Sequence, residues 1–253
     1  MIRILAGKKI KGVEKMIIRR ITLLFLAAFV MLSCLPVTVH AIDDPYYLGD
    51  IESGTIPLSD DSLSTVLTEY ADIVQKLPEE RIKNANTTFS TGVISDFNGD
   101  TYPELLLLYT VEGMEYDAFE ALIVSRTQEG QLSYYRCRPG NNSGNPFLTL
   151  YLSREDEKPC FHLVYINQNF RDPVTRFGTD MVVSPKDGVC ADCRVLKWAT
   201  ILETGAATYE VDGKEDEAAF QRIFGLIEEK VCDIWENNMP LNDLEYQILH
   251  YEP

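Results

Sequence analysis

Glu104-Leu105-Leu106-Leu107-Leu108-Tyr109-Thr110-Val111 is the stretch on which the reading of the fold turns. It is a near-continuous apolar run, too short for a helix and rich in residues that suit a pleated surface. It reads as a central strand buried on both faces. Outward from it, short apolar runs alternate with turn residues. The candidate strands are 90–95, 117–126, 131–137, 147–152, 160–166, 179–183, 193–202 and 206–211. Gln128-Glu129-Gly130 suits a hairpin turn, with a glycine free to take positive φ. Strands this close together pair antiparallel, because a parallel crossover needs a dozen or more residues. No fixed repeat period is visible, which argues against a full multi-blade propeller.

Helical spacing brackets this β region. Leu63, Val66, Leu67, Tyr70, Val74 and Leu77 form one apolar stripe, which predicts a helix over 61–77. Ser59, Asp60 and Asp61 are placed to cap its start, and Pro78 to stop it. Phe220, Ile223, Phe224, Ile227, Val231, Ile234 and Trp235 predict a second helix over 216–236, entered through the Asp212-Gly213 turn. The polar faces of both are acidic, unlike those of helices that lie on membranes. The fold class expected is α+β: an antiparallel, partly propeller-like sheet flanked by an N-terminal and a C-terminal amphipathic helix.

The charge is unevenly placed. The 253 residues carry 23 Lys+Arg and 39 Asp+Glu, a formal net charge of −16. Residues 1–41 hold seven of the basic residues and one acid, and no charge occurs from Ile21 to Val39. A basic start, an apolar run, Pro36 and the end Val39-His40-Ala41 read as a secretory signal peptide cut after Ala41. An uncleaved N-terminal anchor and a lipid on Cys34 are the alternative readings. Residues 42–60 are acidic and contain Pro45, Gly49, Gly54 and Pro57; they are expected to form a flexible lead-in. Residues 61–253 then form a single secreted domain. Beyond residue 41 there remain 16 basic and 38 acidic residues, a net of −22. Such a surface repels phosphate backbones and argues against nucleic acid as a partner.

One loop carries recognisable chemistry. In Asp96-Phe97-Asn98-Gly99-Asp100-Thr101-Tyr102-Pro103-Glu104, oxygen-bearing side chains recur at every second position. Alternate residues of a tight loop can turn inward around one cation, and hard oxygen ligands of this number suit Ca²⁺. The stretch resembles the DxNGDGxxDL loop of FG-GAP/VCBS-type repeats, where a Ca²⁺ loop joins two strands. It is also similar to the DINGDGxPELL segment of secreted bacterial proteins and lipoproteins, which follows a helix of the type Val66-Leu67-Thr68-Glu69-Tyr70. The resemblance covers residues 66–110. It implies Asp96, Asn98, Asp100 and Glu104 as side-chain ligands and Tyr102 as a carbonyl ligand. It implies a sheet type and a location, not an activity. The sequence departs from the pattern at Thr101, where glycine is usual. Without a cation, the same residues would make an Asx-rich turn bonded only to backbone NH groups.

No motif for catalysis or cofactor binding is present: there is no G-x-S-x-G elbow, HExxH pair or phosphate loop. Cys137, Cys160, Cys190, Cys193 and Cys232 read as structural disulfides or buried thiols. The Cys190–Cys193 spacing lies before strand-like sequence, whereas a redox pair opens a helix. His162 alternates with Cys160 and Val164 and reads as a core or surface histidine rather than a base. Tyr134, Tyr135, Tyr151, Phe161, Tyr165 and Trp198 read as ordinary strand aromatics rather than a ligand platform. The expectation is a binding or structural module, secreted or on the extracellular face of the cell envelope, stabilised by calcium. Its partner would be an extracellular protein or glycan, and no membrane span would remain once the signal is cut. The alternative is a secreted hydrolase acting on glycan or peptide, which a cleft holding His162 beside a nucleophile would favour.

Overall fold

The computed structural model describes residues 49–80, 89–111, 117–141, 146–156, 158–170, 173–186, 189–236 and 239–253. Residues 1–41, expected to be a signal peptide, and Cys34 within them lie outside the described residues. Among the described residues, no helix is long and apolar enough to cross a membrane.

Two antiparallel sheets form the frame. The first contains β1 (Gly49–Pro57), β2 (Ser90–Ser95), β3 (Glu104–Val111), β4 (Ala118–Arg126) and β5 (Gln131–Asn141), in the order β1-β5-β4-β3-β2. The second contains β6 (Phe147–Glu155), β7 (Lys158–Asn169), β8 (Thr175–Lys186), β9 (Val189–Ile201), β10 (Ala207–Val211), β11 (Lys214–Glu215) and β12 (Ile227–Asp233). Its order is β11-β10-β9-β8-β7-β6-β12. Three helices complete the described fold: α1 (Leu63–Glu80), α2 (Glu217–Phe224) and α3 (Leu241–Leu249). This is an α+β protein. Its sheets pack on one another and are not arranged as propeller blades.

The Leu-rich strand shows why the sheets stack. Every residue of β3 is buried. Leu106 and Leu108 point into a core shared with Leu148, Leu150, Phe161, Leu163, Met181 and Val183 of the second sheet. Leu105, Leu107 and Tyr109 point the other way, onto Val66, Tyr70, Val74 and Leu77 of α1 and Leu244 and Ile248 of α3. A period of two thus serves two cores from one strand. Each fully buried Leu or Val contributes roughly 1.5–3 kcal/mol relative to exposure. Helix α2 lies against the far face of the second sheet, where Phe220 and Ile223 pack on Cys160, Val182 and Leu196. The layers therefore run helices, sheet, sheet, helix.

The structure differs from the expectations in four places. Part of the expected lead-in is strand β1, paired with β5 from Gly49↔Arg138 to Pro57↔Gln131. Glu52 bonds Arg136 across that pair at 3.0 Å, so an acidic residue that suggested solvent is anchoring an edge. Helix α1 runs through Pro78 to Glu80, two residues past the proline expected to stop it. The helix expected over 216–236 ends at Phe224, with Gly225 at its C-cap. The chain then enters β12, which pairs with β6. Finally, α3 supplies the C-terminal helical cover over the first sheet. Its Leu244 lies so close to β2 that a Cβ on Gly92 would meet it at 2.7 Å.

Candidate functional site

The 96–104 loop joins β2 to β3, closing where Ser95 pairs with Glu104. Its oxygens are turned onto its own backbone. Asp96 Oδ1 accepts from the NH groups of Gly99 at 2.7 Å and Asp100 at 3.2 Å, and its Oδ2 accepts from Thr101 at 2.9 Å. Asn98 Oδ1 accepts from the Asp100 NH, and Asp100 Oδ1 from the Tyr102 NH, both at 2.8 Å. Glu104 lies behind this ring, 1% exposed. It accepts from the Phe97 NH at 2.9 Å and from the Asn98 amide at 2.6 Å. Burial pushes the Glu104 carboxyl up to about 8; Asp100 and Asp96 add to the rise, and the Phe97 NH opposes it.

The backbone makes the ring possible. Gly99 has φ 77° and Thr101 has φ 76°. Thr101 thus adopts the left-handed conformation that the resembling pattern assigns to glycine, although it is β-branched. The loop is also tied to the start of α1. The Tyr102 hydroxyl donates to the Asp61 carbonyl at 2.8 Å, and Arg126 lies 4.1 Å over the Tyr102 ring while bonding the Asp61 carboxylate. The Tyr70 hydroxyl donates to the Pro103 carbonyl at 2.8 Å. For a calcium ion, the chemistry of the donor set fits. Asp96, Asn98 and Asp100 present hard oxygens on one short loop, and an oxygen that accepts one NH keeps a second lone pair. Among the described residues, no three acidic, His or Cys side chains converge closely enough to define such a site by themselves.

A second polar cluster lies in the second sheet. His162 Nε2 is 2.9 Å from Ser153 Oγ, and His162 Nδ1 is 2.7 Å from Asp180 Oδ2. The three residues come from adjacent strands β6, β7 and β8. The sheet register places them side by side: Ser153 pairs with Cys160, His162 with Val182, and Val164 with Asp180. All three are buried, Asp180 completely. Burial raises the Asp180 carboxyl above its ordinary range, and the hydrogen bond and charge of His162 oppose the rise. Asp180 Oδ1 is buried with no hydrogen-bond partner. Trp198 of β9 lies across the same face, so close to Gly178 that a Cβ there would meet its ring at 2.1 Å. Phe220 and Phe224 of α2 pack edge-on against that ring.

Ser153 and His162 line a pocket of about 370 Å³ that opens between the end of the β6–β7 hairpin and α2. Lys158 and Arg194 bring positive charge to it, Glu155 and Asp156 negative charge, and Val182, Ile223 and Leu226 apolar surface. Sequence reading singled out His162 but neither of its partners. Ser153 and Asp180 stand 9 and 18 positions away along the chain. Only the strand register, with His162 read as one member of a cross-strand row, carries a signal for them.

The remaining expected site residues are dispersed. Cys137, Cys160 and Cys232 are buried. Burial pushes the Cys232 thiol up to about 12, with Asp233 adding and Lys230 opposing. Cys160 Sγ lies 3.1 Å from Ser184 Oγ. Cys190 and Cys193 belong to strand β9, whereas a thioredoxin-type pair begins a helix. The aromatics are divided among the layers: Tyr135, Phe161 and Tyr165 are in the core between the sheets, Tyr134 packs against the core under α1, and Trp198 faces α2. No protein-family model matches the chain, and comparison with curated proteins and with solved structures yields no match either.

Proposed function

We propose that the chain is a binding or structural module, secreted or held on the extracellular face of the cell envelope, whose 96–104 loop takes Ca²⁺. The observation that carries this reading is the left-handed Thr101 (φ 76°) inside a ring of inward-turned Asp96, Asn98 and Asp100 oxygens. A β-branched residue in that conformation is strained, and such strain persists where the surroundings over-determine it. Bound calcium would neutralise the Asp96, Asp100 and Glu104 carboxylates and stiffen the β2–β3 turn. The chain's own residues do the rest. Asp96 gathers three backbone NH groups, Tyr102 fastens the turn to the carbonyl before α1, and Tyr70 fastens α1 to Pro103. A stiffer turn would thereby hold α1 on the first sheet.

Isothermal titration of the exported form with CaCl₂, paired with thermal melts in Ca²⁺ and in EGTA, tests this. The expected dissociation constant is about 10⁻⁴–10⁻³ M, as is usual for extracellular modules. The melting temperature should rise with calcium by mass action. Asp96→Asn and Asp100→Asn should abolish both responses. Absence of binding heat, together with identical melts in Ca²⁺ and EGTA, would remove calcium from the reading.

A further inference from the structure

We infer that Ser153, His162 and Asp180 form a nucleophile, base and orienting acid, and that the adjoining pocket admits short-chain carboxylic esters for hydrolysis. This activity is independent of the 96–104 loop. A hydroxyl meets one imidazole nitrogen at 2.9 Å, and a carboxylate meets the other at 2.7 Å. An ionised Asp180 can only accept, so in that state the imidazole proton lies on Nδ1 and the Nε2 lone pair faces Ser153 Oγ. This is the constellation that activates serine on unrelated folds, where it is recognised by geometry rather than by sequence position. The apolar alternative would pack this face more simply. A carboxylate with one buried oxygen left unpaired destabilises the fold, and that oxygen, Asp180 Oδ1, stands beside the imidazole that would become positive during catalysis.

The pocket sets the substrate class. At about 370 Å³ it is near the small end of ligand sites, and Val182, Ile223 and Leu226 suit a short acyl chain, while Glu155 and Asp156 line it together with the two basic residues and oppose an anionic substrate. The Ser153 backbone is flanked by ladders on both sides, with β7 and with β12. An oxyanion at the reacting carbon therefore takes its stabilisation from cationic side chains, and Lys158 and Arg194 line the same pocket.

The reaction balances without a cofactor. Ser153 Oγ bonds to the acyl carbon as its proton moves to His162 Nε2. The bond from that carbon to the alcohol oxygen breaks, and the alcohol leaves with the Nε2 proton. Water then gives a proton to His162 and its oxygen to the acyl carbon. The carboxylic acid departs and Ser153 regains its proton, so ester and water become acid and alcohol. Asp180 touches no reacting atom; it is a positioning residue.

The test uses the full-length exported protein with a fluorophosphonate probe and with p-nitrophenyl acetate. Probe adducts are mapped by peptide mass spectrometry. One adduct per chain is expected, on Ser153, together with hydrolysis that Ser153→Ala and His162→Gln reduce to the uncatalysed rate. Asp180→Asn should lower kcat about 10³–10⁴-fold with KM nearly unchanged, a split that general loosening of the fold would not produce. Ser153→Ala should keep the wild-type circular dichroism spectrum and melt within about 4 °C of the wild type. If folded wild-type protein gives no adduct on Ser153, or labels only Ser184, and hydrolyses ester no faster than Ser153→Ala, the inference is overturned. Labelling of the wild-type chain decides the matter even if a variant fails to fold.

Discussion

The molecule holds two polar clusters built on opposite principles. The 96–104 loop is local: the bonds among its own residues, Asp96 to Thr101 among them, span at most seven positions, and Asn98 to Thr101 are exposed. The Ser153–His162–Asp180 row is assembled from three strands and sits buried under α2. In the loop, polar groups satisfy the backbone of a turn. In the row, they satisfy one another inside a sheet face that Trp198, Phe220 and Ile223 would otherwise fill with apolar atoms. The difference implies different vulnerabilities. A local cluster fails gently, because water replaces what is lost. A buried one fails abruptly, because nothing does.

The largest effect should therefore come from the row. His162→Ala leaves Asp180 buried with neither oxygen paired, and we expect a loss of about 3–5 kcal/mol in urea unfolding. Ser153→Ala removes one hydrogen bond from a site that already opens to a pocket, and should cost about 1 kcal/mol or less. If the two variants were equally mild, the row would be solvated in the native protein, and the contrast with the loop would collapse.

The next effect tests where the loop stops being a surface feature. Glu104 closes it from within the core, with its carboxyl raised to about 8. A carboxyl whose folded pKa lies above its ordinary 4.5 holds its proton more tightly in the folded state. Its contribution is whole below pH 4.5 and is lost as pH rises through 8. In EGTA, the wild-type protein should lose a few kcal/mol of stability across that window. Glu104→Gln should flatten the curve by that amount, read from denaturant midpoints at each pH. An unchanged slope would make Glu104 as solvated as the rest of the loop. On the exposed side, Asp96→Ala should cost about 1–2 kcal/mol, the size of a lost cap, since Asp96 holds three turn NH groups.

The contrast also explains what the sequence disclosed. Glu104–Val111 was legible because burial on both faces leaves Leu105 to Leu108 without a polar position, and β3 has those bounds. The loop was legible because its pattern is contiguous. Strand β12 was not. It pairs with β6 through register shifts between Ile227 and Glu229 and between Lys230 and Cys232. Those shifts break the period of two, so Ile227, Val231 and Ile234 fall at helical spacing. Strand β1 was hidden for another reason: an edge strand carries charge and proline, which also mark a mobile lead-in. The Ser153–His162–Asp180 row left only isolated residues on three strands. Its chemistry exists in the register, and the register is a tertiary fact.

The smallest effect returns to the one residue where the loop's sequence and backbone disagree. Thr101 sits at φ 76°, a conformation that costs an L-residue roughly 1–2 kcal/mol and glycine almost nothing. Thr101→Gly relieves that strain but loosens the unfolded chain, which returns about 0.4–1 kcal/mol. The net expectation is a gain of somewhat under 1 kcal/mol, a rise of a degree or two in the melt. Its NH bond to Asp96 is kept, so the comparison isolates backbone strain. A fall in stability instead would mean that the threonine side chain holds the turn by more than the strain it carries. The loop would then resemble the buried row, with its residue identities set by contacts rather than by conformation.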